Sequence, residues 1–164
     1  MSMKQNLLKS KYGLLWLVFC VFVVVVLQNF QFQTPLSNYN NGFLERLGGG
    51  GHTFEKHVGK SDGYLFDRLR TEDISAASTF NTVAEAEVAI RNTLIKRGDL
   101  IHAWLKTERS NKKAFYHKMQ NPVGRVLKRG WNEPREGNQT RVILIRDENY
   151  DTGFFILTAY PELK

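Results

Sequence analysis

The sequence predicts an α+β domain in residues 51–164. Three observations support this prediction: apolar residues at helical spacing dominate the first half of the region, short segments rich in β-branched and aromatic residues fill the second half, and no βαβ alternation joins them. Helices followed by strands are typical of helices packed on an antiparallel sheet. The chain has 164 residues, 42% of them hydrophobic and 24% charged, which leaves room for one such domain and excludes a wholly disordered chain.

Helix signals come first in this region. Ser61 is a suitable N-cap for a helix over residues 61–70. Thr82 and Glu85 have the spacing of a capping box at the start of a second helix, and Gly98 suits its end.

A third helix and then four strands are expected to follow. The third helix begins at Asp99 and should place Leu100, Trp104 and Leu105 toward the core. The last two strands should form a hairpin across residues 148–152. The four predicted strands are residues 112–118, 124–130, 140–147 and 153–160.

The N-terminal part of the chain has a different character. Residues 13–27 carry no polar side chain, and three lysines precede them in residues 1–11. We expect residues 12–32 to be an uncleaved transmembrane signal anchor with its N-terminal flank in the cytoplasm, which puts the domain on the periplasmic or extracellular side. A cleaved signal peptide and a buried helix of a soluble core are the alternatives. Residues 33–50, rich in Asn and Gly, are predicted to be a flexible linker.

The charge distribution favours a polyanionic partner. The chain holds 23 Lys+Arg against 16 Asp+Glu, and residues 96–146 alone hold 13 basic against 4 acidic residues. A basic block with interleaved aromatic residues is typical of a surface that binds RNA or DNA. A solvated surface that only keeps the domain soluble is the alternative. The single cysteine, Cys20, excludes an intramolecular disulfide.

The common nucleotide and metal motifs do not occur in the sequence, so no cofactor and no metal are predicted. The densest group of proton-transfer residues is the segment from His52 to His57. On a helix this spacing points two side chains about 140° apart, which is unfavourable for a shared metal ion. Either histidine has the alternative of an ordinary surface or capping role.

The segments GGHTFEKHVGKSDGYLFDRLR, AASTF, AEAEVAI and LTAYP occur in this order in residues 49–161. Together they resemble the bacterial RNase A-like toxin domain, the C-terminal toxin of contact-dependent growth inhibition proteins and of related polymorphic toxins. The resemblance implies an RNase A-like fold, with N-terminal helices packed on a curved antiparallel sheet and without disulfides. It also implies a cognate immunity protein as partner.

The resemblance further implies four catalytic residues, which are His57, Arg68, Thr158 and Tyr160. Their chemistry suits RNA cleavage. A histidine can transfer a proton at neutral pH, and an arginine can bind a phosphoryl oxygen. Thr158 and Tyr160 lie two apart on a strand and therefore share a face. Tyr160 can donate a proton to the leaving oxygen, although whether it or His57 is the acid stays open.

Two further residues are candidates for substrate binding. Lys60 is a possible phosphate contact, and His52 is either a second proton-transfer group or a residue that ties down the start of the domain. The expected function is a metal-independent endoribonuclease toxin that cleaves single-stranded RNA through a 2′,3′-cyclic phosphate, acting in the cytoplasm of a target cell. The alternatives are a membrane-anchored module that binds nucleic acid or anionic lipid without cutting, and a structural partner in an envelope complex.

Overall fold

The structure is a computed structural model and describes residues 51–107 and 109–163. These residues form helices α1–α4 and strands β1–β6. In chain order the elements are α1 (Thr53–His57), α2 (Asp62–Thr71), β1 (Ala76–Phe80), α3 (Val83–Lys96), α4 (Gly98–Thr107), β2 (Lys112–Lys118), β3 (Gly124–Lys128), β4 (Arg135–Gly137), β5 (Gln139–Arg146) and β6 (Phe154–Glu162).

The predicted basic flank (1–11), transmembrane anchor (12–32) and linker (33–50) lie outside the described residues. Within residues 51–107 and 109–163, no helix has both the length and the apolar character needed to cross a membrane.

The strands form two three-stranded sheets, and all their pairings are antiparallel. One sheet has the order β1-β3-β4 and the other β2-β5-β6. The predicted α+β class is confirmed, but the single curved sheet is wrong. The expected order of helices before strands is also wrong, because β1 lies between α2 and α3 in the chain. β1 pairs with β3 in the β1-β3-β4 sheet.

The predicted helix starts are confirmed by their caps. The Ser61 hydroxyl oxygen accepts a hydrogen bond from the backbone N–H of Tyr64 at 3.2 Å, and the Thr82 hydroxyl oxygen accepts one from the backbone N–H of Glu85 at 3.1 Å. Each bond satisfies a donor that the first helical turn leaves without an intrahelical partner.

The helices pack on the sheets through two apolar clusters. The larger one joins α3 and α4 to the β2-β5-β6 sheet, and the smaller one joins α2 to the β1-β3-β4 sheet through Leu65, Leu69, Ala77 and Leu127. The side-chain orientation predicted for α4 is partly wrong. Trp104 is buried and Leu105 packs partly buried against the core as predicted, but Leu100 is 55% exposed and Ile101 is buried in its place. The predicted β5–β6 hairpin is confirmed.

Candidate active site

The catalytic residues implied by the resemblance meet at one cleft of about 570 Å³. His57 comes from the end of α1, Arg68 from α2, and Thr158 and Tyr160 from β6. All four line the cleft, as does His52. Residues from three separate parts of the chain therefore share one solvent-accessible space.

His57 is held at the cleft by its attachment to β1. Its side chain is buried, and its ring nitrogen Nδ1 lies 3.0 Å from the backbone carbonyl oxygen of Ser78. The residues after it continue the attachment, because Val58 bridges to Phe80 and the Gly59 N–H donates to the Phe80 carbonyl at 2.9 Å. Gly59 has a φ of 65°, a conformation that favours glycine. The H-V-G-K motif thus fixes the direction of the imidazole.

The surroundings of His57 keep its imidazole neutral. The pKa of His57 is lowered from 6.5 to about 4, chiefly because the ring is buried. The hydrogen bond to the Ser78 carbonyl opposes this shift, and the electrostatic effects of Arg68, His52 and Lys56 add to it. Because a carbonyl oxygen only accepts, Nδ1 carries the proton of the neutral ring. Nε2 then holds a lone pair and can accept a proton at neutral pH.

Arg68 is buried and held by a carboxylate on the same helix. Its Nε and Nη2 donate to the two carboxylate oxygens of Glu72 at 3.0 and 2.8 Å. These bonds raise the pKa of Arg68 and lower that of Glu72. The remaining nitrogen, Nη1, is buried without a hydrogen-bond partner among the described residues. Arg68 therefore has a donor left for a ligand oxygen.

A bulge in β6 determines which side chains reach the cleft. Ile143 of β5 pairs with Thr158, but the next residue, Leu144, pairs with Ile156, so that Leu157 is an extra residue in β6. Beyond this bulge Thr158 and Tyr160 lie on the face that lines the cleft. The Thr158 hydroxyl oxygen is buried and, within the described ranges, has no hydrogen-bond partner.

The G-H-T segment at the start of the domain packs on this bulge. A side chain at Gly51 would collide with the carbonyl oxygens of Ile156 and Leu157. The His52 N–H donates to the Leu157 carbonyl at 3.2 Å, and the Thr53 hydroxyl accepts from the Ala159 N–H at 3.0 Å. The G-H-T segment at the start of the domain and the T-A-Y-P segment of β6 are thus joined by backbone and hydroxyl hydrogen bonds.

Tyr160 stacks on His57, with ring centroids 5.0 Å apart and planes 28° apart. Burial raises the pKa of Tyr160, and the negative charge of Glu162 and the neighbouring Tyr116 raise it further, while the charge of Arg141 lowers it. The phenol is therefore protonated at neutral pH and can act only as a proton donor there.

The two predicted substrate contacts differ in position. His52 lines the cleft with its ring centroid 6.2 Å from that of His57, and its backbone also ties the domain start to β6. Lys60 is not among the residues that line the cleft. Its Nζ lies 5.3 Å from the ring centroid of Tyr64, and its N–H donates to the Thr79 hydroxyl at 2.9 Å. Its role as a phosphate contact stays a prediction.

Sequence reasoning missed several charged residues of the cleft, namely Lys112, Lys128, Arg141 and Glu162. The basic block over residues 96–146 contains the first three, so the charge count pointed to the region but not to the individual side chains. Within the part of the chain that the structure describes, no group of three or more His, Cys, Asp or Glu side chains is placed to hold a metal ion.

The α+β fold carries a cationic cleft in which a histidine of lowered pKa lies beside a protonated tyrosine, an arrangement that suits acid–base chemistry on an anionic substrate. Residues 51–161 match the family described as the bacterial CdiA-CT RNase A domain, and the chain belongs to this family. It is thus an RNase A-like toxin domain of contact-dependent growth inhibition proteins, as the sequence motifs implied.

A solved structure with the same fold is the CdiA-CT/CdiI complex from Y. kristensenii 33638. It is 27% identical to this chain with a TM-score of 0.66, and the match covers 68% of this chain and 99% of that one. No curated protein matches the chain.

Proposed function

We propose that the chain is a metal-independent endoribonuclease toxin that cleaves single-stranded RNA and leaves a 2′,3′-cyclic phosphate. The observation that carries the proposal is the composition of the cleft. It combines a neutral histidine, a protonated tyrosine, and two buried polar atoms without partners in the described residues, Arg68 Nη1 and Thr158 Oγ1. RNA cleavage without a metal needs a base, an acid and donors for the phosphoryl oxygens.

In the proposed reaction His57 is the base and Tyr160 is the acid. The Nε2 atom of His57 takes the proton of the ribose 2′-hydroxyl, and the 2′-oxygen forms a bond to phosphorus. The bond from phosphorus to the 5′-oxygen breaks, and that oxygen receives the phenolic proton of Tyr160. Transfer of a proton from His57 back to Tyr160, directly or through water, restores both groups.

The electrostatics of the two groups support this assignment. At neutral pH the burial of His57 favours the form that accepts a proton, and the burial of Tyr160 favours the form that donates one. The negative charge of a bound phosphodiester raises the pKa of His57 and makes it a stronger base once substrate is in place.

Arg68 and Thr158 stabilise the phosphoryl group in this proposal. The Nη1 of Arg68 and the hydroxyl of Thr158 donate to non-bridging oxygens as negative charge develops on them. Glu72 holds the other edge of the guanidinium, which keeps Nη1 in place. Arg68→Ala should therefore lower turnover more than RNA binding.

The experiment incubates the purified full chain with total RNA in EDTA and identifies the product ends by mass spectrometry. Wild type should give 2′,3′-cyclic phosphate ends and His57→Ala should not. His102→Ala, which changes an exposed histidine on α4, is the matched control and should cleave like wild type. Intact RNA, equal cleavage by wild type and His57→Ala, or RNA binding without products would contradict the proposal.

We also propose a protein partner and a membrane attachment. The similar structure is a complex with CdiI, which supports a cognate immunity protein for this chain as well. Coexpressed with such a protein, the chain should lose its ribonuclease activity at an equimolar ratio.

The apolar run of residues 13–27 and its basic flank support the proposal that residues 12–32 anchor the chain, with the domain on the periplasmic or extracellular side until it enters a target cell. Protease added outside spheroplasts should then digest the domain.

A further inference from the structure

Three residues form a row across the β2-β5-β6 sheet beside the cleft. Tyr116 of β2 pairs directly with Arg141 of β5, and Arg141 pairs directly with Tyr160 of β6. Directly paired residues of antiparallel strands have their side chains on the same face, close enough to touch. Arg141 lies between the two tyrosines in this row.

The guanidinium of Arg141 contacts both aromatic rings. Its central carbon lies 5.2 Å from the ring centroid of Tyr116 and 5.7 Å from that of Tyr160. Both distances are within the range of a cation–π interaction. His57 stacks on the same Tyr160 ring. The Tyr160 ring therefore contacts both the His57 imidazole and the Arg141 guanidinium.

Arg141 is itself held in place from β6. Its Nη1 donates to a carboxylate oxygen of Glu162 at 3.1 Å, and the Gln139 side-chain amide donates to the other oxygen of that carboxylate at 3.2 Å. Glu162 lies two residues beyond Tyr160 on the same strand, and both residues line the cleft with Arg141. The position of the guanidinium relative to the phenol is thus fixed by the strand that carries the phenol.

The charge at this position has a chemical consequence. The groups that act on the phenol of Tyr160 are the guanidinium of Arg141, the carboxylate of Glu162 and the hydroxyl of Tyr116. Of these, only Arg141 lowers the pKa of Tyr160. A fixed positive charge stabilises the phenolate that remains when the proton leaves.

We propose that Arg141 is a positioning residue for Tyr160, which orients the phenol toward the leaving oxygen and stabilises the negative charge that its proton transfer creates. This inference rests on the proposed function, because it needs Tyr160 as the acid. In the step concerned, the Tyr160 O–H bond breaks and a bond from hydrogen to the 5′-oxygen forms as the bond from phosphorus to that oxygen breaks. Arg141 exchanges no proton.

The test compares two leaving groups on the same nucleosides. Dinucleoside phosphates release an alkoxide that needs a proton, whereas the four nucleoside 3′-(4-nitrophenyl) phosphates release 4-nitrophenolate, which does not. General acid catalysis contributes roughly 10²–10⁴-fold. Tyr160→Phe should therefore lose about 100-fold or more in kcat on dinucleoside phosphates and little on the nitrophenyl substrates.

The inference requires Arg141→Gln to follow the same pattern, with about a tenfold loss on dinucleoside phosphates and near wild-type kcat on the nitrophenyl substrates. Arg141→Lys keeps the charge and should recover part of the loss. His57→Ala should be impaired on both substrates, because the attacking 2′-hydroxyl needs a base in either case. Arg70→Gln, which removes an exposed arginine paired with Asp67, is the matched control and should match wild type on both.

The outcomes separate the two proposals. If Arg141→Gln loses the same factor on both substrates, or nothing on either, the inference is wrong while the pattern of Tyr160→Phe still supports the proposed function. If Tyr160→Phe is fully active on dinucleoside phosphates, the proposed acid is wrong. If Arg141→Gln does not fold, Arg141→Lys tests the inference by itself. Its loss in kcat must then be confined to dinucleoside phosphates.

Discussion

At the scale of single residues, the burial of His57 couples the protonation of the site to the stability of the fold. In the unfolded chain this histidine has a pKa near 6.5, and in the folded domain its pKa is about 4. Between these two pH values the unfolded chain binds more protons than the folded one. The contribution of His57 to stability is therefore complete above pH 6.5 and is lost as the pH falls toward 4.

This linkage predicts a specific change in the pH dependence of unfolding. The free energy of unfolding of wild type should fall by about 3 kcal/mol more than that of His57→Gln between pH 7 and pH 4, since one pKa unit corresponds to roughly 1.4 kcal/mol. Urea unfolding at several pH values measures both curves. Parallel curves for wild type and His57→Gln would show that the imidazole is not buried in its neutral form.

Glu72 is a second residue whose effect should be measurable, because it determines the orientation of Arg68. Glu72→Gln keeps the size of the side chain but replaces a carboxylate that accepts two bonds from the guanidinium with an amide that has one acceptor oxygen. We expect kcat to fall roughly tenfold with a smaller change in RNA affinity. Asp67→Asn, which disturbs the exposed pair with Arg70, should leave both unchanged. A loss confined to affinity would contradict a positioning role.

At the scale of secondary structure elements, the sequence predicted those elements whose signals are local. The caps at Ser61 and Thr82 are hydrogen bonds within one turn, so the starts of α2 and α3 follow from a few residues. Strand β1 was missed as an element. Its sequence begins Ala-Ala-Ser, which has little β-propensity, and it is a strand because it pairs with β3 over its whole length.

The site was predictable to a similar degree. The resemblance supplied His57, Arg68, Thr158 and Tyr160, and composition supplied a basic region. Neither indicated that Arg141 faces the cleft, because that depends on the pairing register of β5 with β6. The bulge at Leu157 shifts this register, and no local sequence signal marks it.

The contact between α1 and β6 should be important for the stability of the site. The Thr53 hydroxyl accepts from the buried Ala159 N–H next to the bulge. Thr53→Val keeps the shape and removes the acceptor, so the free energy of unfolding should fall by about 1–3 kcal/mol. Thr53→Ser retains a hydroxyl and should recover most of this loss. Equal stability of Thr53→Val and wild type in urea unfolding would show that this bond does not anchor β6.

At the scale of the whole molecule, the net charge of +7 separates into parts with different meanings. Three of the positive charges belong to residues 1–11, the basic flank of the proposed membrane anchor. The basic block of residues 96–146 contributes Lys112, Lys128 and Arg141 to the cleft. Three of the thirteen basic residues of this block therefore lie at the proposed active site.

The two lysines of the cleft predict how RNA affinity depends on salt. Each phosphate contact on a single strand adds about 0.7 to the slope of log Kd against log salt concentration, because the contact releases a condensed counterion. Replacing both Lys112 and Lys128 with Gln should lower the slope by about 1.4 if each lysine contacts a phosphate, and should weaken binding equally for RNAs of different sequence. Fluorescence anisotropy measures this in the His57→Ala background, which is expected not to cleave the RNA. The control is Lys106→Gln, which changes an exposed lysine on α4 that does not line the cleft and should keep the parent slope. An unchanged slope in the Lys112 and Lys128 double variant would mean that RNA binds elsewhere on the domain.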